Sequence, residues 1–170
     1  MRTRIAGALV FAMLTTLAYA QKVDVDSDPS APFASYRTFA WVQGTPSPTA
    51  LGERRFHFAV DAQLAARGLT EVGVAADLFA ATHVVAQQRS HLIASGFGWG
   101  RGAAAASIQQ YGPGTLVVDL YDAKTRQLVW RGVGTGLGSD TVNRNNVAFH
   151  QALNTMFEKY PSGSSQVAAR

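Results

Sequence analysis

The feature that most restricts the fold of this chain is a pair of alternating segments, Thr115–Asp122 and Leu128–Leu137. Apolar and polar residues that alternate with a period of two are typical of β-strands. The residues between the two segments include Asp122, Lys124 and Thr125, which favour a turn. The sequence therefore predicts an antiparallel β-hairpin in this region.

The register of the hairpin follows from the side-chain pairs that it creates. Placing Asp119 opposite Arg131 forms one pair of opposite charges and also forms two apolar pairs, Leu120 with Trp130 and Val117 with Val133. Pairs of both kinds stabilise antiparallel strands. We therefore expect this register.

The remaining elements indicate an α+β fold. Alternation predicts further strands at residues 22–26, 36–42 and 78–88, with a short strand or an extended link at residues 69–72. Apolar residues that recur every three or four positions predict amphipathic helices at residues 51–67 and 143–160. We expect an antiparallel or mixed β-sheet with both helices packed on one face.

The first 20 residues have the three parts of a secretory signal peptide. Arg2 and Arg4 precede an apolar run from Ile5 to Leu17, and the segment ends with the small-residue pattern Ala18-Tyr19-Ala20. The run is too short for a permanent membrane-spanning helix, which needs about 20 residues. We expect cleavage near Ala20, one domain over residues 21–161 and a disordered tail at residues 162–170.

Composition excludes several classes of function. The chain has no cysteine, so disulfides, thiolate metal sites, a cysteine nucleophile and a lipid anchor on cysteine are excluded. Its formal charge of +4 owes half of its excess to Arg2 and Arg4. The other basic residues are scattered rather than clustered, which argues against binding of nucleic acid.

No catalytic, metal or cofactor motif is present in the sequence. The four histidines, His57, His83, His91 and His150, show no metal-ligand spacing. The nucleophile elbow and the phosphate-binding Walker loop are also missing. We expect no enzymatic activity and no cofactor, although a hydrolase that uses dispersed residues such as His83 and Asp119 stays a minor alternative.

A glycine-rich stretch at residues 95–114 is the main candidate for ligand binding. Glycines at every second position from Gly96 to Gly102 do not fit the dinucleotide fingerprint, because Arg101 occupies the place of its third glycine. A mobile linker and a binding loop are both open interpretations. In the second case the contact residues would be Phe97, Trp99, Arg101 and Tyr111.

Three segments of the chain resemble the bacterial domain-of-unknown-function (DUF) family 4136. They comprise Asp24–Asp26 with Phe33–Trp41, then Ala62–Leu69 with Ala76–Leu78, then Gly114–Thr125 with Leu128–Gly132. The resemblance covers most of residues 23–161. The last segment, with its Trp130-Arg131-Gly132, is the most specific.

The resemblance implies an exported envelope protein with an α+β domain and no established activity. Members are often lipoproteins, but the missing cysteine indicates a periplasmic or secreted form here. The motif positions are Trp41, Asp119, Trp130 and Arg131, which we interpret as core aromatic residues and one cross-strand ion pair. We therefore expect a non-enzymatic interaction or accessory module, with a small-ligand carrier as the alternative. Its partner would be an envelope protein or a small ligand.

Overall fold

A computed structural model of the chain describes residues 22–85, 114–137 and 147–161. They form six strands and two helices, and a 3-10 turn at Phe33–Ser35 precedes the second strand. The strands are β1 (Lys22–Ser27), β2 (Thr38–Trp41), β3 (Thr70–Glu71), β4 (Leu78–Val85), β5 (Thr115–Asp122) and β6 (Leu128–Thr135). The helices are α1 (Ala50–Ala65) and α2 (Val147–Glu158).

The strands form one mixed sheet in the order β1-β6-β5-β4-β2-β3. Antiparallel pairing joins β1 to β6, β6 to β5 and β5 to β4, whereas β2 is parallel to both β3 and β4. The predicted α+β class with a mixed sheet is confirmed. That both helices lie on one face of the sheet stays a prediction.

The predicted hairpin register is found in β5 and β6. Asp119 pairs with Arg131, and the two apolar pairs, Leu120 with Trp130 and Val117 with Val133, follow as expected. The register shifts at Leu120 and Tyr121, where a β-bulge leads into the turn. In that turn Asp122 accepts hydrogen bonds from the backbone N–H groups of Lys124 and Thr125.

One face of the central strands supplies the hydrophobic core. Alternate residues of β4 and β5 supply this core, namely Leu78, Ala80, Val84, Leu116, Val118 and Leu120, and the buried polar residue Thr82 interrupts the series in β4. The helices contribute Phe56, Val60 and Leu64 from α1, and Phe149, Leu153, Met156 and Phe157 from α2. The aromatic ring of Phe56 meets that of Phe149 at a centroid distance of 5.2 Å, which joins the two helices.

Helix α1 begins with a side-chain cap and is followed by a turn that contains a glycine. Thr49 Oγ1 accepts a hydrogen bond from the N–H of Gly52, as is typical of an N-cap. The chain leaves the helix through Gly68, whose φ of +81° is easily reached only by glycine. The crossover through α1 makes β2 parallel to β4, which requires a long connection rather than a turn.

The ends of β4 and β5 meet where residues 86–113 leave and rejoin the sheet. Val85 pairs with Thr115, and the N–H of Gly114 donates a hydrogen bond to the carbonyl oxygen of Val85 at 2.8 Å. A backbone hydrogen bond therefore holds the end of β4 to the start of β5.

The Trp130-Arg131-Gly132 motif has a packing explanation. A Cβ atom at Gly132 would lie 2.7 Å from Cη2 of Trp130 and 3.1 Å from Sδ of Met156. The indole of Trp130 is fully buried against Phe157, so it has little freedom to move. Gly132 thus provides the space in which Trp130 and α2 pack on the sheet.

Replacing Gly132 by alanine should destabilise the fold. The added methyl group would overpack the contact between Trp130 and Met156, at a cost of about 1–3 kcal/mol in the free energy of unfolding. Gly73→Ala is the matched control, because a Cβ there meets nothing within 4 Å. Urea denaturation measures both variants, and equal stabilities would contradict this role of Gly132.

Candidate functional site

The strongest polar cluster lies on the sheet face that points away from the hydrophobic core. The strands place His83 from β4, Asp119 and Tyr121 from β5, and Arg131 from β6 on this face. We call these four residues the Asp119 cluster. Asp119 is completely buried, and His83 is buried as well.

The cluster is centred on a two-point ion pair. Arg131 donates from Nε to Asp119 Oδ1 at 2.7 Å and from Nη2 to Oδ2 at 2.6 Å. The hydroxyl of Tyr121 donates to Oδ2 at 3.0 Å. A guanidinium group that meets a carboxylate at both oxygens fixes both side chains more firmly than a single contact.

His83 connects this ion pair to the segment between β2 and α1. The backbone N–H of Thr45 donates to Nδ1 of His83 at 3.1 Å, which places the proton of the neutral ring on Nε2. Nε2 then points towards Oδ2 of Asp119, 3.5 Å away. The Thr45 hydroxyl oxygen lies 3.0 Å from the same Nδ1.

The local charges determine the protonation of Asp119. Burial alone would raise the pKa of its carboxyl group, because the charged form loses its hydration. Hydrogen bonds and charge attraction from Arg131, together with the His83 ring, outweigh burial and lower the pKa below its ordinary value. Asp119 is therefore ionised at neutral pH.

The cluster contains the two residues of the hydrolase alternative, and both already take part in hydrogen bonds within the protein. A general base needs a free lone pair, and Nδ1 of His83 already accepts from the Thr45 backbone. The carboxylate of Asp119 is committed to Arg131 through both oxygens. These contacts join β4, β5 and β6 to one another and to the segment that contains Thr45.

A second group of polar and aromatic residues surrounds Trp41. The indole stacks on the imidazole of His57 with centroids 3.9 Å apart and planes 7° apart, and its Nε1 donates to Asp61 at 2.9 Å. Glu53 lies 3.2 Å from Nε2 of His57. Burial raises the pKa of Asp61, and the hydrogen bond from Trp41 opposes that rise.

The four motif residues thus have different environments. Asp119 and Arg131 form the expected ion pair and Trp130 lies in the core, whereas Trp41 is only half-buried and joins β2 to α1. Trp41 also packs against the hydrophobic core, in addition to its contacts with α1. Sequence reasoning missed its partners His57 and Asp61, although their spacing of four is the spacing of one helical face.

The candidate ligand-loop residues lie outside the described part of the chain. They are Phe97, Trp99, Arg101 and Tyr111. Within residues 22–85, 114–137 and 147–161, no group of three or more His, Asp or Glu side chains could hold a metal ion. Over the same ranges, neither helix is long and apolar enough to cross a membrane.

Comparison with known proteins places this chain in a family. The family described as "Domain of unknown function (DUF4136)" matches residues 23–162, which is most of the chain. The chain belongs to the DUF4136 family. A search of curated proteins finds no match to this sequence.

Solved structures support the fold of this DUF4136 domain. A DUF4136 family protein from Bacteroides thetaiotaomicron shares 18% identity over 84% of this chain and 96% of its own, with a TM-score of 0.60. A PelC dodecamer from Paraburkholderia phytofirmans shares 13% identity over 81% of this chain and 98% of its own, with a TM-score of 0.45. A PDZ domain protein from Parabacteroides distasonis shares 16% identity over 83% of this chain and 35% of its own, with a TM-score of 0.43. The first comparison shows a shared fold, and the other two carry no argument about this chain.

Removing the charge of Asp119 should strongly destabilise the DUF4136 domain. Asp119→Asn disrupts a buried ion pair from one side, which costs about 3–5 kcal/mol in the free energy of unfolding. The double variant Asp119→Leu with Arg131→Met removes both charges and should regain most of that loss. Asp24→Asn on exposed β1 is the control, expected within about 0.5 kcal/mol of the wild type. Urea denaturation would contradict the prediction if Asp119→Asn matched this control.

Stability should fall in acid. The pKa of Asp122 is lowered because hydrogen bonds from Thr125, Tyr36 and Lys124 outweigh the effect of burial, and the pKa of Asp77 is lowered mainly by the N–H of Arg37. A carboxyl group with a lower pKa in the folded state stabilises the fold above its unfolded pKa of about 4, and this contribution is lost below it. Unfolding free energies measured from pH 6 to pH 2 should therefore decline, and Asp122→Asn should show a shallower decline than the wild type. Parallel curves for the two proteins would refute the role of Asp122.

Proposed function

We propose that this DUF4136 domain is an exported, non-enzymatic interaction module of the bacterial cell envelope. Export is supported by residues 1–20, which combine two arginines, an apolar run and an Ala-Tyr-Ala ending. Without cysteine the chain has no thiol for lipid attachment, so a periplasmic or secreted form fits this sequence.

The assignment as non-enzymatic rests on how the Asp119 cluster uses its polar atoms. Both carboxylate oxygens accept from Arg131, Oδ2 accepts also from Tyr121, and the lone pair of Nδ1 in His83 accepts from Thr45. A catalytic acid or base must exchange its proton with a substrate. Groups already paired with one another across three strands are suited to stability.

An interaction role is supported by what the domain exposes. Phe58 on α1 is 77% exposed and Leu51 is 49% exposed. The two residues are seven positions apart and lie on one face of the helix, and apolar surface exposed in this way is typical of sites where proteins meet. The small-ligand carrier remains the alternative, and it depends on the aromatic residues of the 95–114 stretch, outside the described ranges.

Expression in a Gram-negative host with a C-terminal tag tests this proposal. The tagged chain should be found in the periplasmic fraction or the medium, and N-terminal sequencing should begin at Gln21. Cross-linking of intact cells should add a second, different polypeptide to the tagged chain. The comparison is a variant with Ala18 and Ala20 changed to arginine, which should retain Met1 because large charged residues block cleavage.

Each result bears on a separate part of the proposal. A wild-type chain that keeps Met1 in the cytoplasm would overturn export. Adducts that contain only the tagged chain, or none at all, would overturn the role in binding another envelope protein. Turnover of an added ester or glycoside substrate that disappears in His83→Gln would overturn the non-enzymatic assignment.

A further inference from the structure

Helix α1 presents apolar side chains on its outside as well as towards the core. The inner residues Phe56, Val60 and Leu64 are almost fully buried. On the other side, exposed residues follow one another at helical spacing: Leu51, Arg54, Phe58, Ala62 and Ala65. We call these five residues the outer stripe. A surface helix normally presents polar residues on the side that faces water.

The outer stripe is symmetric about Phe58. Leu51 lies seven residues before Phe58 and Ala65 lies seven after it, which is two helical turns in each direction. When two such helices pack antiparallel on a two-fold axis through Phe58, the large side chain of Leu51 meets the small side chain of Ala65 at each end. A large side chain opposite a small one allows two helices to approach closely.

The charge of Arg54 in the stripe and the charge of Asp61 beside it match in the same arrangement. Arg54 lies four residues before Phe58, and Asp61 lies three residues after it on the same flank of the helix. A two-fold axis at Phe58 therefore brings Arg54 of one copy to the level of Asp61 of the other, twice. Arg54 is exposed and is absent from the ion pairs of the described residues.

Asp61 has capacity for a second partner. Its Oδ1 accepts from Nε1 of Trp41 at 2.9 Å, and the described contacts leave Oδ2 available. Burial disfavours the charged form of Asp61 and therefore raises the pKa of that carboxyl group. A guanidinium group from outside would offset this cost.

We infer that the outer stripe of α1 binds the outer stripe of a second copy of this chain, antiparallel, on a two-fold axis through Phe58. Two-fold symmetry requires a surface that complements itself. The stripe meets this requirement in size where Leu51 faces Ala65 and in charge where Arg54 faces Asp61, and the two Phe58 rings meet on the axis. One pair of helices buries less than the roughly 1,600 Å² of a standard interface. The dimer is therefore reversible and depends on concentration. The inference rests on the proposed interaction role, because it assigns the exposed Leu51 and Phe58 to a second copy of the chain, and it does not depend on export.

A charge exchange tests the inference in the purified chain. Arg54→Asp places two acidic groups at each contact, and Asp61→Arg places two basic groups there. Each variant alone should associate at least about tenfold more weakly than the wild type. An equimolar mixture of the two variants restores opposite charges at both contacts, so it should form a heterodimer with nearly wild-type affinity. Sedimentation equilibrium up to about 1 mM measures all four cases.

Control variants separate the stripe from general effects on the surface. Phe58→Ala should lose dimerisation, while Val74→Ala, at a residue that is 83% exposed but is not part of α1, should not. Circular dichroism checks that each variant is folded. A monomeric wild type at the highest concentration, or a mixture no tighter than its separate components, would overturn the inference. Failure here leaves the cross-linking and export tests unaffected.

Discussion

The carboxylate of Asp119 is the contact on which the centre of the sheet depends. It accepts two hydrogen bonds from Arg131 on β6 and one from Tyr121 on its own strand, and it faces His83 on β4. His83 continues the connection to Thr45, beside the parallel strand β2. One buried charge thus links β4, β5, β6 and the segment that leads to α1. Because an uncompensated buried charge is costly, these elements are held in one register.

The two faces of β6 explain why the motif combines three such different residues. Trp130 and Gly132 face the core, where the absence of a side chain at Gly132 leaves room for the indole of Trp130. Arg131 points to the opposite face and pairs with Asp119. Core packing and the ion pair are therefore set by adjacent positions of one strand. A shift of one residue would exchange the two faces and disrupt both.

Local pattern was enough to predict some elements of this fold and not others. The β5–β6 hairpin was predictable in register because its partners are close in sequence and its pairs are distinctive. The parallel pairing of β2 with β4 was not, since alternation shows that a segment is a strand without naming its neighbour. For the same reason the contact of His83 with Asp119 could not be predicted, because it depends on the register of β4 against β5. The contacts of Trp41 with His57 and Asp61 were not predictable either, because they depend on where α1 docks.

The hydrogen bond between Gly114 and Val85 has a consequence for how such domains can diverge. It closes the β4–β5 pair at the point where residues 86–113 depart and return. A connection whose two ends already meet can be lengthened, shortened or exchanged at a small entropic cost, which grows only with the logarithm of its length. A change in the length of residues 86–113 should therefore cost the pairing of β4 with β5 little stability.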